Sequence, residues 1–152
     1  MSDSQRPTEP ARITAEAFEE LVLRRHRRES FCCHVEDLAS GFARLRLRFH
    51  PAQLRSGGTI AGPVMFTLAD TALYAAVLSA AGLVQQAVTT DLSIRFLERP
   101  GPNDLTAEGR LLKRRGRLMV GEVTIWSAGH REPVAHAAGT YAVPRSSRRE
   151  TP

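Results

Sequence analysis

The chain is poor in the residues that build metal and redox centres. Of its 152 residues only two are cysteines, and these, Cys32 and Cys33, are adjacent. Neighbours along a strand point to opposite faces, so a mutual disulfide is not expected. The five histidines (His26, His34, His50, His130 and His136) stand in no HxxxH or HxH pattern, and no Cys/His spacing suits zinc. No metal site is therefore expected. Aromatic residues make up 6% of the chain, without the interleaved basic–aromatic signature of an RNA-binding module. The N-terminal stretch has no secretory pattern, and with unpaired thiols the chain is expected to be cytoplasmic and reduced.

Charge is not scarce, but it is one-sided, with a net +5 and a pI near 10.2. Basicity of this kind admits nucleic acid, an anionic membrane or a phosphorylated small molecule as partner. Many of the arginines cluster towards the ends, at Arg24, Arg25, Arg27, Arg28, Arg145, Arg148 and Arg149. They read as solvated faces and tails, so neither nucleic acid nor membrane is expected as partner.

The chain does have one long apolar run, residues 60–84, whose single formal charge is Asp70. A helix apolar all round belongs inside a fold. A carboxylate on it is costly unless it is paired or used. The run is long enough to span a bilayer. Pro63, Thr67, Asp70, Thr71 and Tyr74 interrupt it, however, and the segments that follow alternate like strands of a soluble sheet.

Around this run the chain reads as one domain over residues 14–144, with a flexible tail at 1–13 and a disordered basic tail at 145–152. Thr14 suits an N-cap for a helix over 15–25, with Phe18, Leu21 and Val22 as its apolar stripe. Strands are expected over 31–37 and 42–49, joined by a Ser40-Gly41 turn. In the second, Ala43, Leu45, Leu47 and Phe49 alternate with Arg44, Arg46 and Arg48. In the central helix, Gly62 suits the N-cap, Pro63 the first helical position and Gly82 the C-terminal stop. Four strands follow, over 87–97, 105–113, 118–127 and 133–143. In the first of them Val88, Thr90, Leu92, Ile94 and Phe96 are expected to share one face. The layout is α+β, with an antiparallel sheet curled around a single helix.

Three motifs stand in order: GPVMFTLADTALYAA from Gly62, AVTTDLSIRFLERP from Ala87 and LLKRRGRLMVGEV from Leu111. Together, over residues 31–143, the chain resembles the hotdog-fold acyl-CoA thioesterases, in particular their PaaI-like group. That family carries a His-Gly-Gly loop and, eight residues after the first Gly, an acidic residue on the helix. Gly62 and Asp70 have this spacing. The His and second Gly are here Ala61 and Pro63, and an Asn usual in the family falls on Arg55.

The resemblance implies hydrolysis of a small or aromatic acyl-CoA thioester, with coenzyme A part of the substrate rather than a cofactor. Asp70 would be general base to water, or nucleophile through an anhydride. The Gly62 N–H, at a helix N-terminus, would polarise the carbonyl. Thr89 would bond the water or the carboxylate, with Thr90 the competing choice because a one-residue slip changes the face. Arg55, Met65, Phe66 and Tyr74 are candidates for the substrate pocket. Lys113, Arg114 and Arg117, around Gly116, would meet the phosphates of coenzyme A. The bland alternatives are an Asp70 bonded to Thr67 or Thr71, and core roles for the aromatics. Another class of function, a non-catalytic hotdog dimer binding acyl-CoA or an aromatic acid, stays open. A dehydratase fits less well, because Ala61 stands where it would want a His.

Gly62 and Asp70 are about 12 Å apart along a helix. One chain would struggle to place both around one thioester carbon. Two antiparallel copies of the helix would bring Gly62 of one near Asp70 of the other, so a two-fold homodimer with composite sites is expected. The resemblance adds pairs of dimers.

Overall fold

The computed structural model describes residues 6–25 and 28–145. Six strands, β1 Cys33–Ala39, β2 Phe42–Leu47, β3 Val88–Phe96, β4 Leu105–Lys113, β5 Leu118–Ser127 and β6 Ala135–Ala142, form one antiparallel sheet. Their order across it is β1-β2-β4-β5-β6-β3. The sheet curls around helix α2, Gly62–Ala81, and a short helix α1, Ala15–Phe18, flanks it. This is the hotdog architecture expected.

The helix sits very low on the sheet, and glycines explain why. A Cβ at Gly109 of β4 would stand 2.6 Å from the Ala72 carbonyl oxygen. At Gly121 and Gly139, register partners on β5 and β6, it would meet Leu73 at 2.6 and 3.2 Å. Leu73 therefore occupies a trough where three strands offer no side chain. The small residues Ala69, Ala72, Ala75 and Ala76 let the backbone follow it down, and all are fully buried.

Burial of α2 differs from the expectation. The C-terminal half is enclosed, with every residue from Ala75 to Ser79 buried. In the N-terminal half, Pro63, Phe66, Thr67, Asp70, Thr71 and Tyr74 recur at three- and four-residue intervals and form one incompletely covered stripe. Apolar composition marked the whole run as interior; this chain covers only part of it. The helix also starts one residue earlier than expected. Ala61 is the N-cap and Gly62 the first helical residue, while Gly82 ends the helix at φ 90°.

Two further expectations are corrected. The helix expected over 15–25 is α-helical only at Ala15–Phe18, capped by the Thr14 side chain, and continues as π-type turns over Glu19–Leu23. Those turns bury no side chain fully, and Glu19 is tied instead to β1 by accepting from the Val35 N–H at 2.9 Å. Nor do residues 6–13 hang free. Arg6 Nε and Nη2 donate to Asp37 at 2.6 and 2.8 Å, Ser40 N donates to the Glu9 carbonyl, and Arg12 N to that of Ser79. The Arg6 hydrogen bond holds the Asp37 carboxyl below its usual range. The expected tails at residues 1–5 and 146–152 lie outside the described residues.

The trough makes a stability prediction. Gly109→Ala puts a methyl against backbone that cannot move aside, and is expected to cost about 1–3 kcal/mol. Urea unfolding should show a lowered midpoint with an unchanged slope.

Candidate active site

The stripe left uncovered on α2 carries Asp70, half-buried beside the end of β3. Its Oδ1 accepts two hydrogen bonds, from Thr89 Oγ1 at 2.8 Å and from the Tyr141 hydroxyl at 2.7 Å. Among the described residues both side-chain donors fall on Oδ1 and none on Oδ2, so the two oxygens are inequivalent. The partners expected on the helix itself are otherwise engaged. Thr67 and Thr71 donate to the carbonyls of Pro63 and Thr67, at 3.0 and 2.7 Å.

A β-bulge decides which threonine reaches Asp70. Thr89 pairs with Tyr141 and Asp91 with Thr140, leaving Thr90 as the extra residue. Strict alternation puts Thr90 on the face of Leu92. The bulge breaks the phase, so that Thr89 and Leu92 both face α2. Thr90 instead donates to the Thr140 carbonyl at 3.2 Å. The expected shared face of Val88, Thr90, Leu92, Ile94 and Phe96 is thus interrupted.

Tyr141 was missed in the sequence. Its signal was there: Ala135, Ala137, Gly139 and Tyr141 alternate along β6, and a tyrosine on the inward face must find a partner for its hydroxyl. Its ring stacks on Tyr74, with centroids 5.5 Å apart and planes 11° apart, and Tyr74 meets Phe18 edge-on. Burial, with the neighbouring Asp70 charge adding to it and the Thr89 hydrogen bond opposing, pushes the Tyr141 phenol far up. It remains a proton donor throughout the neutral range. Burial raises the Tyr74 phenol as well.

Gly62 lies at the other end of the stripe, against the Phe96 ring at the far end of β3. Its N–H belongs to the first turn and has no intrahelical acceptor; Pro63 beside it has no N–H. Within one chain Gly62 and Asp70 are not brought together.

Beside Pro63 opens a cavity of about 440 Å³, lined largely by apolar side chains, among them Val22, Leu23, Phe31 and Val64. Thr67 and Thr71 reach it from α2. Buried Gln53 shapes its floor, donating to the carbonyls of Ser30 and Arg48 at 2.8 and 2.9 Å. Of the residues expected in a pocket, Phe66 points outward, Tyr74 packs on Tyr141 and Met65 is core, and none of them is in the cavity lining. Arg55 is exposed in a turn closed by its N–H to the Thr59 carbonyl.

Lys113, Arg114 and Arg117 are exposed around the β4–β5 turn. That turn lies at the same end of the sheet as Thr89, because Met119 pairs with Tyr141 and Tyr141 with Thr89. Arg114 folds back towards Gly41 and lies 3.9 Å from Glu9.

Comparison with known proteins places the fold and the family. The model of the thioesterase superfamily matches residues 57–134. A Saccharolobus solfataricus protein named as an esterase is 33% identical over 116 residues, 76% of each chain. A crystal structure from Silicibacter sp. TM1040, named as a thioesterase, is 32% identical over 93% of this chain and 96% of that one, with a TM-score of 0.72. The PaaI protein of E. coli, at 22% identity over 85% of this chain and 94% of its own, has the same fold with a TM-score of 0.72. So does a Streptococcus pneumoniae TIGR4 thioesterase crystallised with coenzyme A, at 22% identity, 86% and 97% coverage and a TM-score of 0.71.

The bulge predicts an asymmetry between neighbouring threonines. Thr89→Val should slow thioester turnover about tenfold, the worth of one hydrogen bond to a charged group. Thr90→Val should leave it within about twofold by the same scale. Steady-state release of free thiol, followed with Ellman's reagent, compares them.

Proposed function

The chain belongs to the thioesterase superfamily and is a thioester hydrolase; from that premise we propose that it hydrolyses small or aromatic acyl-CoA thioesters, with Asp70 as the reacting carboxylate. The observation that carries the reading is the aspartate whose side-chain donors, among the described residues, all fall on one oxygen, on a helix face that runs to a largely apolar cavity. The Thr67 and Thr71 hydroxyls are turned back onto the helix, which leaves the cavity suited to an aromatic ring or a short alkyl group. The relative crystallised with coenzyme A supports the carrier.

In the proposed reaction the thioester carbonyl accepts from the Gly62 N–H, where the helix dipole favours the developing negative charge. Asp70 Oδ2 either takes a proton from the attacking water or attacks the carbonyl itself. The C–S bond then breaks and the thiolate is protonated; by the first route acid and free thiol leave directly, and by the second a water hydrolyses the mixed anhydride left on Asp70, releasing the acid and restoring the carboxylate. Arg55, exposed in the loop before α2, is the proposed substrate contact from that loop. Lys113 and Arg117, exposed at this turn, would meet the phosphates of the carrier, and Arg114 would do so on leaving Glu9.

Completing the site takes a second copy. Alongside α2, β3 runs in the opposite direction: Phe96 lies by Gly62, and Thr89 by Asp70. Strand β3 is an edge, paired only with β6, and exposes Val88, Phe96 and, just beyond it, Leu97. Antiparallel pairing of two such edges about a two-fold axis sets Gly62 of one protomer towards Asp70 of its partner, and relieves an edge otherwise open to aggregation.

Two experiments test this. A panel of acetyl-, hexanoyl-, benzoyl- and phenylacetyl-CoA should be hydrolysed by the wild type, and Asp70→Asn should lose at least about 100-fold in kcat. Wild-type rates in that variant would remove Asp70 from the chemistry; no hydrolysis of any substrate would favour the non-catalytic acyl-CoA binder. Light scattering at micromolar concentration should give a dimer or a pair of dimers, and a monomer would sink the composite site.

A further inference from the structure

We propose that Tyr141 is a positioning residue for Asp70: together with Thr89 it pins Oδ1, and so makes Oδ2 the oxygen that meets water or thioester. The inference rests on the reading of Asp70 as the reacting carboxylate, and it assigns a residue that the Gly–Asp–Thr pattern leaves out.

Three observations carry it. The Tyr141 hydroxyl donates to the same carboxylate oxygen as Thr89, at 2.7 against 2.8 Å. A carboxylate held by one donor can still turn about its χ2 bond, which is broad and soft. Two donors arriving at one oxygen from adjacent strands leave it a single orientation. The strands themselves are locked, since Thr89 and Tyr141 are register partners in the β3–β6 ladder.

The second observation is the rigidity of the donor. The Tyr141 side chain is buried and stacked nearly parallel on Tyr74, which Phe18 abuts edge-on. A tyrosine so held has one place for its hydroxyl. The third is a second contact of the same hydroxyl with the same residue. The Asp70 backbone carbonyl, 3.3 Å from the same hydroxyl, keeps the phenol centred on this residue.

Tyr141→Phe tests the proposal, because it keeps the ring and the stack and removes only the hydroxyl. With the fastest acyl-CoA of the panel above, kcat should fall about 10- to 100-fold, the scale of a misplaced reacting group, while KM stays within about twofold. The urea midpoint should change little. Combined with Thr89→Val, the two losses should multiply to less than their product, because either substitution frees the same oxygen. A crystal structure of Tyr141→Phe should show the carboxylate turned from its original plane, a readout independent of turnover.

Unchanged kcat, fully multiplicative losses, or an unmoved carboxylate would each overturn the proposal. So would a fall in kcat that tracks a raised KM and a lowered midpoint, since that would make Tyr141 a packing residue. Asp70→Asn separates this from failure of the functional reading. If that variant keeps full activity the reaction is elsewhere; if it is inactive while Tyr141→Phe is normal, only the positioning role falls.

Discussion

The close seating of α2 on the sheet is the constraint from which the rest follows. Gly109, Gly121 and Gly139 remove the side chains that would hold the helix away, and Leu73 drops into the space. A helix seated this low brings its polar stripe level with the rim formed by β6 and β3. Only at that height can hydroxyls from two strands reach a carboxylate on the helix. Packing and chemistry are therefore linked through three absent Cβ atoms.

Asp70 shows how the fold tolerates a charge on its most apolar element. A carboxylate removed from water without partners costs several kcal/mol. Here the cost is offset by two hydroxyl donors to one oxygen, while incomplete burial leaves the other oxygen approachable. Full pairing would have made a structural aspartate; no pairing would have left one free to rotate. The arrangement between them suits a group that must be ionised, oriented and accessible.

Much of the fold was legible in the sequence because its signals are local. Alternation in 42–49 and 118–127, the prolines and glycines between strands, and Gly82 after a long apolar run all report on neighbouring residues. The spacing of Gly62 and Asp70 likewise marked the two ends of the candidate site. Less legible were the features set by pairing between distant segments. The bulge at Thr90 arises from how β3 meets β6, so strict alternation put the wrong threonine with Leu92. The cavity draws on the segment after α1, the turn at Pro51–Gln53 and the start of α2, which no local pattern joins. Phe66 and Tyr74 looked like pocket residues by position on α2, yet one faces outward and the other packs on Tyr141.

By itself, then, the sequence determined that one apolar helix must be wrapped by an antiparallel sheet, and that its lone carboxylate needs partners or a use. Hydrophobic period and turn chemistry suffice for that, because they act over a few residues. Only the tertiary structure decided who those partners are. Tyr141 lies 71 residues from Asp70 along the chain and Thr89 lies 19. Their meeting depends on a glycine trough that sets the height of the helix and a bulge that turns one side chain inward. Both are properties of strands in register, which no single stretch of sequence contains.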